Sequence, residues 1–243
     1  MASTTKIFHH QSYDTISPSR PSNIQSDRCV LITGATTGIG FAIAEAFLQA
    51  SASQVILTGR NPEGLEQARA KLASTSSGTS IRAFVCDLNS NSSMENLWQR
   101  LKLEDIRLDV LVLNAADTAS GPMVPVTSFL PNMQAALQTN LWANTLMVAR
   151  FLEQATDEGQ RKSKAIINIS SFMAHSNPAP FQAAYTTSKA VFAHTMQLLA
   201  DEVSVDECQI INVHPGAVLT QSADKSLPQS AKDAVVWDDG ELR

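Results

Sequence analysis

Cys29-Val30-Leu31-Ile32-Thr33-Gly34-Ala35-Thr36-Thr37-Gly38-Ile39-Gly40 is the stretch that decides the fold. Its first four residues form an apolar run that reads as a buried parallel strand. Glycines follow at 34, 38 and 40, and a helical pattern then runs over residues 41–49. A strand, a glycine turn and a helix in that order let backbone N–H groups close on an anion, which the helix's positive end also faces. Gly34, Thr36, Gly38, Ile39 and Gly40 are therefore expected to cradle a diphosphate. The spacing is G-x-x-x-G-x-G rather than the commoner G-x-G-x-x-G of dinucleotide turns, and a purely structural turn is the competing reading.

Working outward, five more short apolar runs cover residues 54–58, 81–85, 109–113, 165–169 and 209–213. Between them lie helical patterns at 61–75, 94–101, 131–153 and 185–203. Six strands alternating with helices imply an α/β doubly wound parallel sheet with right-handed crossovers, in a single domain over 29–243. Residues 1–28 are polar, with Pro18 and Pro21, and read as an irregular N-terminal arm. Since 243 − 220 leaves 23 residues after Thr220, the C-terminal region is expected to be short, with Val235-Val236-Trp237 as a candidate edge strand.

Composition narrows the function. With 44% hydrophobic and 17% charged residues the chain is globular rather than disordered. A net charge of −5 argues against a general nucleic-acid binder, which needs a basic surface. The apolar runs are too short to span a membrane, and the start shows no secretory signal pattern. Cys29, Cys86 and Cys208 are scattered and odd in number. They read as reduced, buried thiols of a cytoplasmic protein, with no metal-site spacing.

The strand ends carry the chemistry. After the second strand stands Arg60, where an acidic residue would hold the ribose hydroxyls of NAD. A guanidinium there favours a 2′-phosphate, so NADP(H) is expected over NAD(H), with an ordinary surface arginine as the alternative. Asp87, followed by Leu88, either accepts from an adenine amino group or caps the next helix. In Asn114-Ala115-Ala116 small residues let the chain pass close to the cofactor. Asn140 sits inside a helical pattern, where asparagine is a poor choice by propensity. Ser171 closes the fifth strand, and the cluster Arg161, Lys162 and Lys164 reads as a solvated loop. Tyr185-Thr186-Thr187-Ser188-Lys189 puts a phenol and an ammonium on one helix face, where the lysine is expected to lower the phenol's pKa. Alone, that spacing is common on solvated helices.

Together these residues resemble a short-chain dehydrogenase/reductase, with a Rossmann-like fold. The resemblance runs from about Cys29 to Thr220 and rests on Thr33-Gly34-x-x-x-Gly38-Ile39-Gly40, Asp87-Leu88, Asn114-Ala115, Asn140, Ser171, Tyr185-x-x-x-Lys189 and Pro215-Gly216 with Thr220. Each motif is modestly specific; the ordered set is highly specific. It implies that Tyr185 is the acid/base and that Lys189 binds the nicotinamide ribose and tunes the phenol. Ser171 would orient the substrate oxygen, and Asn140 would fix a water in a proton relay. Pro215, Gly216, Val218 and Thr220 would border the nicotinamide. The implied activity is NADP(H)-dependent interconversion of a carbonyl and a secondary alcohol, in a homodimer formed through the helices at 131–153 and 185–203. Met123, Phe129, Phe172, Met173 and Phe181 suggest an apolar substrate. Two departures, Ala116 where the family has glycine and the short C-terminus, motivate an alternative: a catalytically silent cofactor-binding regulator or partner subunit.

Overall fold

The computed structural model describes residues 13–75, 78–118, 121–154, 163–175, 181–216, 218 and 220. Six strands, β1 (Cys29–Thr33), β2 (Gln54–Gly59), β3 (Ser80–Val85), β4 (Val110–Leu113), β5 (Lys164–Ile169) and β6 (Cys208–Val213), form one sheet. Its order is β3-β2-β1-β4-β5-β6, and every pairing is parallel. The helices between them are α1 (Gly38–Gln49), α2 (Pro62–Thr75), α3 (Asn91–Leu103), α4 (Val126–Leu137), α5 (Asn144–Glu153) and α6 (Ala183–Glu202).

The central strands read as continuous apolar runs because helices cover both faces of the sheet. Successive side chains along β1 alternate between the two cores. Val30 and Ile32 join Val55, Leu57, Ala44, Leu65 and Leu72 on the face covered by α1 and α2. Leu31 joins Leu111, Met94, Leu97, Phe151, Phe192 and Met196 on the face of α3, α5 and α6. In α3 the buried residues Met94, Leu97, Trp98 and Leu101 fall at i, i+3, i+4 and i+7, one stripe of a 3.6-residue helix. The order reverses between β1 and β4, so the carboxyl ends of these strands open a crevice at a topological switch point.

Several local expectations need correction. The helix read from the sequence at 131–153 begins earlier, at Val126, and takes Pro131 inside α4. A proline there removes one backbone donor, a loss this packed helix tolerates. It continues into α5 through a π-helical segment, Gln138–Ala143, in which Thr139, Asn140 and Ala143 are buried. Helix α1 starts three residues before Phe41, at Gly38, so the last two glycines of the turn belong to its first turn.

Lys164 is not a solvated loop residue. It is buried at 8% exposure, and its ammonium donates to the carbonyls of Phe151 (3.1 Å) and Gln154 (2.8 Å). It thereby caps the carbonyl end of α5, where a cation is favoured. Arg161, Lys162 and Val235-Val236-Trp237 lie outside the described residues. Cys29, Cys86 and Cys208 are free and buried, and burial pushes the Cys29 thiol up to about 12.

Ahead of β1, two short 3-10 turns, Asp14–Ile16 and Pro21–Asn23, are joined by the Asn23 amide, which donates to the carbonyls of Thr15 and Ser17. Gln25 N donates to Ala50 O at 2.7 Å, which fastens this segment to the end of α1. No described helix is long and apolar enough to cross a membrane, and no metal-binding group of His, Cys, Asp or Glu occurs among the described residues.

Candidate active site

The glycine turn is built by what side chains would obstruct. Gly34 and Gly38 have φ of 63° and 57°, a left-handed backbone that L side chains rarely adopt. Gly40 lies in helical backbone, yet a Cβ there would stand 2.5 Å from Asn114 Nδ2 and closer still to Gly34 O. Close packing of α1 on the turn therefore requires glycine here.

Asn114 is tied into the same construction. Its Nδ2 donates to Thr33 O (2.9 Å) and Gly34 O (3.1 Å). The Thr33 hydroxyl accepts from the backbone N–H groups of Asn114 (2.9 Å) and Ala115 (3.0 Å). The end of β4 is thus bolted to the turn after β1, which fixes the floor of the crevice. In the sequence Thr33 opens the glycine motif, but nothing there assigns its hydroxyl this role.

Above this floor is a cleft of about 800 Å³, in the range of small-molecule and cofactor sites. Of the residues expected to bind a cofactor, Gly34, Thr36, Gly38, Ile39, Arg60, Asp87, Leu88, Asn114, Ala115, Tyr185, Lys189, Pro215 and Thr220 line it. Gly40, Asn140, Ser171, Gly216 and Val218 do not. The cleft also includes Ala116, expected beside the cofactor, and Asn61, Asn89, Asp117, Thr139 and Ser170, which the sequence did not assign to it. Ser170 is buried, and its hydroxyl has no hydrogen-bond partner among the described residues.

The helix-cap reading of Asp87 is excluded locally. Ser90 is the N-cap of α3, its hydroxyl accepting from Ser93 N. The Asp87 carboxylate instead accepts from Asn89 N at 3.0 Å, and the residue faces the cleft. Arg60 is exposed at the rim and makes no ion pair among the described residues.

The chemical centre lies at the start of α6. The Ser171 hydroxyl lies close enough to the Tyr185 phenol to favour its ionised form. Met173 N donates to Ser171 Oγ at 3.2 Å, so the hydroxyl proton of Ser171 is left to point elsewhere. Lys189 is buried at 3% exposure and donates to Ile169 O at 2.7 Å, which anchors α6 to the end of β5. Burial alone draws its pKa down to about 8.

The expectation that this lysine depresses the phenol is corrected. Burial raises the Tyr185 pKa above its ordinary value and is the largest effect, with the Ser171 hydrogen bond pulling the other way. The ammonium is 6.0 Å from the ring centroid and is turned toward the Ile169 carbonyl. Sharing a helix face is therefore not enough to stabilise the phenolate here.

Asn140 is fully buried, and its amide is committed to protein partners. Oδ1 accepts from Asp117 N (2.7 Å), while Nδ2 donates to Asp117 O (2.8 Å) and Ser188 Oγ (2.9 Å). Ser188 Oγ in turn donates to Tyr185 O at 2.8 Å. Asn140 thus clamps the segment after β4 and, through Ser188, braces the turn of α6 that carries the phenol. Thr139 beside it donates to Asn89 Oδ1 at 2.7 Å, linking the π segment to the loop after β3. Asn140, a poor helix-interior residue by propensity, was the sequence signal for this bracing.

Residues 28–231 match the family model described as short chain dehydrogenase. The chain is 30% identical to the short chain dehydrogenase/reductase AacuD of Aspergillus aculeatus over 97% of its own length and 78% of that protein's. Among solved structures, a short chain dehydrogenase of Shigella flexneri complexed with NADP is 25% identical, with a TM-score of 0.75 over 88% of this chain and 87% of that one. The Pseudomonas aeruginosa RhlG/NADP active-site complex is also 25% identical, with a TM-score of 0.74 over 87% and 82%. With the parallel sheet, the glycine turn and these matches together, the chain belongs to the short-chain dehydrogenase/reductase family of oxidoreductases.

Proposed function

We propose that the protein is an NADP(H)-dependent oxidoreductase that interconverts a carbonyl and a secondary alcohol on a small apolar substrate, chiefly in reduction. The observation carrying this reading is the approach of the Ser171 hydroxyl to the Tyr185 phenol, beside a cleft shared by Tyr185, Lys189 and the glycine turn. The residues fit a dinucleotide: the turn's N–H groups take the diphosphate, and Asp87 takes the adenine edge.

When bound, the nicotinamide supplies or accepts the hydride. Ser171 holds the substrate oxygen, supplying orientation, and Tyr185 gives that oxygen a proton. A phenol whose pKa is raised by burial keeps its proton at neutral pH, which suits the acid role and hence reduction. Lys189, with a pKa of about 8, is mostly cationic at neutral pH and holds the ribose hydroxyls. Asn140 braces both segments that meet at the phenol.

An apolar substrate is supported by Met123, Phe172 and Phe181, which are exposed on the segments flanking the site. Gly121 N donates to Phe181 O at 2.7 Å, which joins two of those segments. NADPH oxidation over a panel of ketones and aldehydes tests the function. Turnover with at least one apolar carbonyl is expected, and none with any would overturn it.

For the cofactor, Arg60 at the rim and two NADP-bound relatives support a 2′-phosphate contact. Arg60→Asp is expected to weaken NADPH binding by about ten- to a hundredfold, as loss of a charge-assisted bond does, while sparing NADH. Equal affinity of the parent for the two cofactors, by fluorescence titration, would refute the assignment.

A homodimer through the helices over 131–153 and 185–203 is part of this reading. Trp142 is 63% exposed on the first, and Val191 and Leu198 are exposed one heptad apart on α6. Sedimentation equilibrium at micromolar concentration should give twice the chain mass; a monomer would exclude it. We place the protein in the cytoplasm, on its three free, buried thiols.

A further inference from the structure

We infer that His214 is a positioning residue for Ser171, acting as a side-chain substitute for a missing rung of the sheet. This rests on the reading of Ser171 as the group that orients the substrate oxygen. The last backbone rung between the fifth and sixth strands is Ser170 N to Val213 O, at 2.8 Å. In a regular parallel ladder the next donor, two residues on, is Phe172 N, and its acceptor would be the carbonyl of residue 215. But β6 ends at Val213, and Pro215 turns away to line the cleft. The Phe172 N–H donates instead to His214 Nδ1, at 3.0 Å.

That bond dictates the imidazole's state. A backbone N–H can only donate, so Nδ1 carries a lone pair and Nε2 carries the proton. The two rings also lie beside each other, with centroids 6.0 Å apart and planes inclined by 40°.

The consequence falls on Ser171. Phe172 opens the 3-10 turn Phe172–Ala174, for which Ser171 is the N-cap. Met173 N, in that turn, donates to Ser171 Oγ and so directs the hydroxyl proton away from the turn. The Ser171 hydroxyl meets the Tyr185 phenol. Pinning Phe172 therefore fixes the orientation of the turn, the serine rotamer and the serine's approach to the phenol. Because His214 directly precedes Pro215, the same bond ties the substrate-side serine to the loop at the cofactor side of the cleft.

Two variants separate the acceptor from the ring. His214→Phe keeps an aromatic ring against Phe172 but offers no acceptor. His214→Asn loses the ring but places Oδ1 where Nδ1 stood. Both lack Nε2, so the difference between them isolates the bond to Phe172. Amide hydrogen exchange at Phe172, which needs no turnover, is expected to be about three- to tenfold faster in His214→Phe and restored in His214→Asn. In NADPH-dependent reduction, kcat is expected to fall about three- to tenfold in His214→Phe, with the NADPH Kd within about twofold of the parent. His214→Asn should recover kcat to within about twofold.

Unchanged exchange in His214→Phe overturns the inference, and so does a kcat loss that asparagine fails to rescue in a folded protein. A parent that turns over no carbonyl yet shows the expected exchange pattern sinks the proposed function alone. The tie between His214 and the serine turn would then stand.

Discussion

Tyr185→Phe is expected to lower kcat for carbonyl reduction by about 10²–10⁴-fold, the range ascribed to a positioned general acid. NADPH affinity and the melting temperature should stay close to the parent's. The ring remains, so its packing on α6 is kept; what is lost is the phenolic proton proposed to pass to the substrate oxygen and the hydroxyl's interaction with Ser171. On the proposed reading the cofactor is held elsewhere, by the glycine turn, Arg60 and Lys189, all of which line the cleft. The direction of the pKa shift adds a second expectation. An ordinary phenol ionises near ~10, and burial pushes Tyr185 higher. The acid form therefore persists across neutral pH, and the base form needed for alcohol oxidation appears only as pH rises. Oxidation by the parent should gain steadily with pH through the alkaline range while reduction does not. Steady-state rates in both directions, on parent and variant, decide it. A Tyr185→Phe protein that reduces as fast as the parent would remove the phenol from the chemistry.

The strands and the glycine turn were legible because their signals are local. A buried parallel strand is mostly apolar, and a turn with positive φ favours glycine, so both signals are written at consecutive positions. Lys164 shows where this stops. Beside Arg161 and Lys162 it reads as part of a basic loop, yet the carbonyls that bury it end a helix ten residues away, and only the fold brings them together. Asn114 is similar. Its position marks the site, but its amide is spent on Thr33 and Gly34, some eighty residues earlier. The electrostatic inference failed for a different reason. The spacing of Tyr185 and Lys189 fixes which helix face they share, not how far each is withdrawn from water. Withdrawal dominates here, disfavouring the charged form of both groups. Asn140 lies between these cases: a polar residue out of place by propensity was a sound signal that it had a task. The clamp on Asp117 and the brace on Ser188 depend on a π segment that no periodicity announces.

Gly40→Ala should be the most damaging small substitution in the chain. Alanine is the better helix former by about 1 kcal/mol, so propensity alone predicts a gain. Space predicts the opposite. The new methyl would collide with the Gly34 carbonyl oxygen and stand 2.5 Å from Asn114 Nδ2. Neither neighbour can give way cheaply. The carbonyl belongs to a turn held at positive φ, and the amide is bonded to Thr33 and Gly34. Overpacking of this kind costs about 1–3 kcal/mol even where side chains can shift, and here the obstruction is backbone. At roughly 2–4 °C per kcal/mol for a domain of this size, a fall in Tm of about 5–10 °C is expected. Because relief requires α1 to move off the turn, NADPH affinity should fall with it. Gly64→Ala is the control. It lies in α2, and a Cβ there meets nothing nearer than Asn61 at 3.6 Å. That variant should melt at or slightly above the parent temperature and bind the cofactor unchanged. If Gly40→Ala melts within about 2 °C of the parent and binds NADPH equally well, then α1 does not pack on the turn as closely as this structure requires, and the cradle for the diphosphate is not the one described.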